Sequence, residues 1–335
     1  DYKVESPINQ VQGWINKEHV KTISKKNPKT KALCEYLFTF LTNFRKLIDL
    51  SNDNKIVVLG SAQDGGYPQA GCKRRCCLEA WRDITLKRMI ASLAIISEDE
   101  YWLIDITPDF RDQIQMMASH MNEESRLSGI FITHAHIGHY MGLLALGLEV
   151  MNMSSIPIYV MPRMKEFLEN NAPFSQLIKF QNIELISLND NLNISLNEGL
   201  NITPFEVPHR NEFSETVGYN IQSSRKSLIY IPDIDGWEKW NMDINKVIRD
   251  NDIVILDGTF YNSAELTTRN IAAIPHPYII NSLDKFSLLE EVDRRKVYFT
   301  HLNHTNPAIH NSSKERLEIN NYLCNVAEDS MIFKM

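Results

Sequence analysis

The sequence has 335 residues, of which 43% are hydrophobic and 23% are charged, and its formal net charge is -7. This composition excludes a largely disordered chain, because the apolar fraction suffices for a packed core, and the acidic balance argues against a dedicated nucleic-acid-binding protein. No apolar run approaches the roughly 20 residues that cross a bilayer, so we expect no membrane span.

The first 54 residues are predicted to form an N-terminal helical extension. Apolar side chains from Lys31 to Phe44 recur at the spacing of an amphipathic helix, and a polar break at Ser51–Asn54 follows. Packing on the next domain, covering its active site, docking a partner and forming a homodimer are open roles for the extension. Because the sequence begins at Asp1 rather than Met, a cytoplasmic protein and an exported protein that has lost a leader both stay open.

Residues 55–335 are predicted to form one α/β catalytic domain. Strand Lys55–Gly60 comes first, and a cluster of histidines follows strand Gly129–Thr133. The other predicted strands are Ser92–Ser97, Tyr101–Ile106, Ile156–Val160, Ile202–Val207, Val217–Ile221, Ser227–Ile231, Ile253–Leu256 and Lys296–Thr300, and the predicted helices include Gln113–Met121 and His139–Met151. Two strand-rich halves with interleaved helices indicate a layered sandwich with its chemistry in loops at the strand ends.

Three of the ten histidines fall within six positions, directly after a predicted strand. His134 and His136 are two residues apart in an extended loop, so their rings can face a common centre, and His139 stands at the start of the next helix. Neutral imidazole is the commonest metal ligand in proteins, and zinc sites need three or four such groups. The cluster therefore predicts a metal centre.

The histidine segment resembles the HxHxDH signature of the metallo-β-lactamase superfamily, and further segments match in that family's order. These segments are Trp102–Asp105, Val207–His209, Leu228–Asp233 and Phe299–His304. The resemblance covers about residues 55–335 and implies an αβ/βα four-layer sandwich. It also implies a first metal site of His134, His136 and His209, a bridging Asp233, and a second site at His139 and His301. Asp235 and Asp257 are alternatives to Asp233.

Gly138 stands where the signature has its aspartate. In the family that aspartate binds the second metal and orients the attacking water, so we expect the second site to be weak or empty. One or two active-site ions are predicted, with zinc favoured and iron or manganese allowed by the ligands. Asp233 becomes the candidate to orient or deprotonate the water.

Cys72, Cys76 and Cys77 follow a glycine-rich turn and predict a second, structural zinc site. Such clustering suits a metal better than a disulfide framework, although free or redox-active thiols stay open. The segment resembles two subfamilies, the coenzyme pyrroloquinoline quinone (PQQ) biosynthesis protein B family and the phosphodiesterase of the carbon-phosphorus lyase pathway. Against their C-x-C-x-x-C spacing Cys76 is displaced. The phosphodiesterase resemblance implies His304 as the fourth ligand.

Pro275–Tyr278 resembles the phosphodiesterase loop that places a histidine near the scissile bond, which implies that His276 protonates a leaving group. A rigid surface loop is the alternative. Arg210 and Arg269 are candidates to hold an anionic small-molecule substrate, or else are solvated surface residues.

Three functions follow from these patterns. The first is a hydrolase that cleaves a phosphodiester or related ester with metal-activated hydroxide, as the retained histidine set implies. The second is an iron-dependent oxidative enzyme of quinone-cofactor biosynthesis, because Thr300–Pro307 resembles the quinone-biosynthesis family. The third is a catalytically weakened metal-binding module, for which Gly138 is the motivation.

Overall fold

The computed structural model describes residues 54–265 and 275–335. The predicted extension over residues 1–54 lies almost wholly outside the described residues, and so does Arg269.

Two seven-stranded sheets form the centre of the described chain. The strands are β1 (Lys55–Gly60), β2 (Ser92–Ser97), β3 (Glu100–Ile104), β4 (Arg126–Phe131), β5 (Ile156–Val160), β6 (Ile183–Ser187), β7 (Ile194–Asn197), β8 (Leu200–Glu206), β9 (Val217–Ser223), β10 (Ser227–Ile231), β11 (Ile253–Asp257), β12 (Val297–Thr300), β13 (Asn325–Val326) and β14 (Ile332–Lys334). The helices are α1 (Arg75–Arg82), α2 (Phe110–Met117), α3 (Ile137–Tyr140), α4 (Pro162–Asn170), α5 (Phe174–Lys179), α6 (Ile244–Asp250), α7 (Ile279–Phe286), α8 (Glu291–Arg294) and α9 (Lys314–Asn321). Short 3-10 helices cover Ile84–Leu86, Ala118–His120, Met141–Leu146, Ser263–Glu265 and Pro307–Ile309.

The strand order places several strand ends at one edge of each sheet. The first sheet runs β14-β1-β2-β3-β4-β5-β6 and the second β13-β12-β11-β10-β9-β8-β7. Strands β3 and β4 are parallel, and β1 shares their direction because two antiparallel pairings separate it from β3. By the same reasoning β8 runs with β10, β11 and β12. The loops that leave the carboxyl ends of these strands therefore lie together at one edge of each sheet.

Three apolar clusters show that the layers are helices, sheet, sheet and helices. Alternate side chains of a strand face opposite sides of its sheet. In β1, Ile56 and Val58 pack between the two sheets, whereas Val57 and Leu59 pack on the outer cluster that includes Leu168 of α4. The second sheet buries its outer face against helices α6, α7 and α9. The predicted four-layer αβ/βα sandwich is confirmed.

The predicted helix over His139–Met151 is wrong. Helix α3 ends at Tyr140, a 3-10 helix follows, and turns continue to Met151. The backbone leaves the helical path because the Gly142 N–H donates to the Ile106 carbonyl across the fold, and a side chain at Gly142 would lie 2.3 Å from the Thr107 carbonyl oxygen. Strands β6, β7, β13 and β14 were not predicted, since they are short and partly exposed edge elements.

None of the helices in the described part of the chain combines the length and apolar character that a bilayer span requires.

Candidate metal centre

His134, His136 and His209 converge at the shared edge of the two sheets. The first two lie in the loop after β4, and His209 follows β8. His134 Nε2 is 2.8 Å from His136 Nδ1, and the metal-binding atoms of all three residues lie within 4.8 Å of one another. The structure therefore brings together the three residues predicted for the first metal site, whose role as ligands stays a prediction.

Asp233, in the loop after β10, lies between this group and a second group of histidines. Its Oδ1 is 3.5 Å from His209 Nε2, and its Oδ2 is 3.9 Å from His134 Nε2. The same Oδ2 is 3.2 Å from His139 Nε2 and 3.3 Å from His301 Nε2. One carboxylate thus touches both groups, as a bridging ligand must.

Asp64 is a member of the second group that sequence reasoning missed. It lies in the loop after β1, and its Oδ1 is 3.2 Å from His139 Nε2 and 3.6 Å from His301 Nε2. The available signal was an acidic residue beside Gly65 and Gly66 at the end of a buried strand. Nothing in that local pattern distinguishes a ligand from a turn residue.

Asp105 orients His139 from behind. The two side chains are fully buried, and Asp105 Oδ2 is 2.7 Å from His139 Nδ1. The other Asp105 oxygen accepts a hydrogen bond from the Thr133 backbone N–H at 2.8 Å. An imidazole held through Nδ1 presents Nε2 to a metal, which is the usual arrangement around metal ligands. Asp105 has a φ of 65°, and such left-handed strain persists only where the surroundings enforce it.

Two further aspartates lie beside the Nδ1 atoms of histidines. Asp235 Oδ1 lies 3.2 Å from His209 Nδ1, and Asp257 Oδ2 lies 2.7 Å from His276 Nδ1. Both Asp257 oxygens accept backbone hydrogen bonds as well, from Ile234 and Thr259. Asp233, by contrast, lies within 4 Å of histidines from both groups. Of the three aspartates considered from the sequence, the geometry favours Asp233 as the bridge.

The protonation states of His134, His136 and Asp233 suit a cation. Burial lowers the pKa of His134 well below its usual value and that of His136 to about 4, so both imidazoles are neutral and able to bind a metal. Burial alone raises the pKa of Asp233, but the surrounding histidines, His301 foremost, hold it well below its usual range. Burial disfavours protonated His139, yet the Asp105 carboxylate beside it raises its pKa.

Buried polar atoms without partners provide a test of whether a metal fits this centre. Among the described residues, six such atoms belong to the two groups and the carboxylate between them. His209 Nδ1 faces Asp235, and the other five are Asp64 Oδ1, His139 Nε2, His209 Nε2, Asp233 Oδ2 and His301 Nε2. Buried polar groups in folded proteins are almost always satisfied. Since all five atoms are donors to metals and point into one space, the residues fit one or two cations.

The cysteine cluster follows Asp64 along the chain, with Cys72 in the same loop and Cys76 and Cys77 in the first turn of α1. Cys77 Sγ is 3.3 Å from His304 Nδ1, and Cys76 Sγ is 3.9 Å from that nitrogen and 4.0 Å from Cys77 Sγ. Cys72 completes a group whose ligand atoms lie within 4.8 Å of one another. Burial raises the pKa of the Cys77 thiol to about 12, so a thiolate there needs a cation. The four residues fit a closed zinc site, and their ligand roles stay a prediction.

The remaining predicted site residues lie around the centre. His276 Nδ1 is 4.0 Å from Asp233 Oδ1, and its side chain is 3% exposed, so it lies inside the centre rather than on a surface loop. Arg210 is beside His209, exposed, and 3.9 Å from Glu212. Glu212 in turn lies 3.6 Å from His136 Nε2. Roles for His276 and Arg210 in catalysis or substrate binding remain predictions.

Comparisons with known proteins agree with this fold. Residues 101–302 match the Beta-lactamase superfamily domain. The Coenzyme PQQ synthesis protein B of Xanthomonas axonopodis pv. citri (strain 306) is 26% identical over 288 residues, which cover 78% of this chain and 93% of that protein. The protein of the same name from Methylorubrum extorquens (strain PA1) is 27% identical over 305 residues, which cover 82% and 98%.

Two solved structures share the architecture. Zn(2+)-bound PqqB from Methylobacterium extorquens superimposes with a TM-score of 0.72 at 23% identity, covering 84% of this chain and 100% of that one. A diphosphatase of the PhnP family superimposes with a TM-score of 0.59 at 22% identity, covering 84% and 97%. At these identities the likeness concerns the fold alone.

Proposed function

The chain belongs to the β-lactamase superfamily, and from that premise we propose that it is a metal-dependent hydrolase that cleaves a phosphodiester or related ester of a small anionic substrate. The observation that carries the proposal is Asp233, a buried carboxylate within 4 Å of histidines from both groups. A centre of imidazoles around one carboxylate is suited to binding a dication and positioning a water molecule.

Each group has a role that its geometry supports. His134, His136 and His209 would hold the metal, with zinc favoured by the nitrogen-rich ligands and iron or manganese allowed. When bound, the metal would supply Lewis-acid chemistry and make a coordinated water more acidic. Asp233 would orient the attacking water and accept its proton.

The leaving group requires a proton from the opposite side. His276 is held through Nδ1 by Asp257, so its Nε2 is the atom available to donate that proton. Arg210, exposed beside His209, would attract the negative charge of the substrate.

The cysteine cluster would hold a structural zinc. His304 and His301 lie on the same loop after β12, so fixing His304 at the cluster also fixes the backbone that presents His301 to the centre. In this proposal His301 and His304, which lie on one loop, serve two different sites, the catalytic centre and the structural zinc.

Zinc-loaded protein assayed with bis(p-nitrophenyl) phosphate tests the proposal. We expect turnover that falls at least about 100-fold in His134→Ala and His136→Ala, because each loses a ligand. His120→Ala, outside the centre, serves as the control and should keep the wild-type rate. Absence of hydrolysis with zinc, manganese and ferrous iron alike would overturn the hydrolase.

A second candidate is an iron-dependent oxidative step in quinone-cofactor biosynthesis. Its support is that relatives named Coenzyme PQQ synthesis protein B align with 78% to 82% of the chain. Anaerobic loading with ferrous iron followed by admission of oxygen distinguishes the two, since only the oxidative enzyme consumes oxygen in the presence of a quinone precursor. Absence of turnover with any metal, with no rate change in His139→Ala, would leave a metal-stabilised binding module.

A further inference from the structure

We propose that Asp64 supplies the carboxylate ligand that Gly138 lacks, so that the second metal position, formed with His139, His301 and Asp233, is complete. The proposal rests on the proposed metal centre and deepens it. It replaces the expectation of a weak or empty second site with a site whose carboxylate has moved to another loop.

The first argument is that Asp64 occupies the space of a side chain at position 138. A Cβ atom added to Gly138 would lie 2.3 Å from Asp64 Oδ1, 2.8 Å from Asp64 Cα and 3.0 Å from Asp64 Cγ. Contacts this short do not occur between packed atoms. An aspartate at 138 and an aspartate at 64 therefore cannot both occupy these positions, and the glycine is what admits Asp64.

The second argument is the spacing of the four ligand atoms. His139 Nε2 is 3.2 Å from both Asp64 Oδ1 and Asp233 Oδ2, and His301 Nε2 is 3.6 Å and 3.3 Å from the same two oxygens. Four ligands bound at about 2.0–2.1 Å in a tetrahedron stand about 3.3 Å apart. These four carboxylate–imidazole distances are close to the edges of a tetrahedral zinc site, and the ligand atoms of Asp64, His139 and His301 lie within 4.8 Å of one another.

The third argument is that all four atoms are buried and lack hydrogen-bond partners among the described residues. An ordinary ion pair between Asp64 and a histidine would aim a hydrogen at the carboxylate. Here Asp64 Oδ1 lies between two imidazole nitrogens without a hydrogen bond to either. A cation shared by the four residues would satisfy all four atoms at once. It would also offset the desolvation cost that a buried carboxylate without a partner carries.

The loop that carries Asp64 is fixed to the segment that carries His301. The Leu302 N–H donates to the Ser61 carbonyl at 2.8 Å, and the Gln63 N–H donates to the Leu302 carbonyl at 2.9 Å. These bonds hold the residues that flank Asp64 and His301 in one ladder. A second contact joins the same two stretches of chain, since Cys77 Sγ, in the helix that follows the loop of Asp64, is 3.3 Å from His304 Nδ1. Asp64 is therefore held rigidly, as a ligand requires.

Counting metal by mass spectrometry after zinc loading and dialysis tests the proposal without relying on activity. We expect about three equivalents in the wild type, one each for the cysteine cluster, the first site and the second site. Asp64→Asn should lose one equivalent, and the exposed Asp112→Asn should lose none. The variant Asp64→Gly/Gly138→Asp, which returns the carboxylate to the signature position, should regain the lost equivalent.

Each outcome has a distinct meaning. Three equivalents retained in Asp64→Asn, or two in the wild type, would overturn the role of Asp64 and leave the hydrolase proposal standing. A wild type with zinc only at the cysteine cluster would overturn both. Loss of one equivalent in Asp64→Asn, with recovery in the double variant, supports the relocated ligand, and the two equivalents that Asp64→Asn retains show that this single variant is folded.

Discussion

Gly138→Ala probes the packing between α3 and the loop after β1. The added Cβ would lie 2.3 Å from Asp64 Oδ1 and 2.8 Å from Asp64 Cα, so both the carboxylate and the backbone at Asp64 must move by about 1 Å to reach van der Waals distance. Overpacking of this kind costs about 1–3 kcal/mol. Against it stands the gain from replacing a helical glycine by alanine, up to about 1 kcal/mol.

We therefore expect Gly138→Ala to lower the free energy of unfolding by about 1–2 kcal/mol. In an Asp64→Gly background most of the clash is absent, because the Oδ1 contact disappears and the loop can relax, so the same alanine should be neutral or stabilising. The coupling energy between the two positions is then about 1–2 kcal/mol, well above the roughly 0.5 kcal/mol seen for independent sites.

Urea unfolding of the four proteins, the wild type, both single variants and the double variant, measures this coupling. All four are compared in metal-free buffer, so that differences in metal affinity do not enter the free energies. Additive effects within about 0.5 kcal/mol, or a stabilising Gly138→Ala in the wild-type background, would refute the conclusion that Asp64 occupies this space.

Three other changes have defined outcomes. Asp105→Asn keeps a residue that tolerates the left-handed backbone but removes the charge facing His139, so urea unfolding should show a loss of about 3–5 kcal/mol, and an unchanged stability would contradict the buried pair. Cys77→Ser should remove one zinc equivalent and lower the Tm, whereas Cys324→Ser, outside the cluster, should leave the metal count unchanged. Burial raises the pKa of Asp329 to about 6 from 3.8, so the folded state prefers the neutral carboxyl; the resulting loss of stability is absent below pH 4, grows as the pH rises from about 4 to 6 and is constant above. The free energy of unfolding of Asp329→Asn, relative to that of the wild type, should therefore rise by at most about 3 kcal/mol between pH 4 and pH 7. A difference between the two proteins that does not change with pH would contradict the raised pKa.

Much of the fold was predictable because its signals are local. The buried strands β1, β2, β5 and β10 were predicted at their observed ends, since continuous apolar runs bounded by polar residues and glycine specify them. The edge strands β7 and β13 carry no such run, because solvent covers part of their length. The path after Tyr140 depends on a hydrogen bond to Ile106, a contact that the local pattern cannot contain.

The sequence by itself determined which residues could serve a metal centre. His134, His136 and His139 lie within six positions, and imidazole chemistry makes that spacing informative without any structure. Only the tertiary structure decided which carboxylates join them. Asp64 is 74 positions before Gly138, and no local pattern links an acid in one loop to a glycine in another. Their complementarity is steric, one side chain filling the space that the other leaves, and it exists only once β1 and β4 direct both loops to the same edge of the sheet.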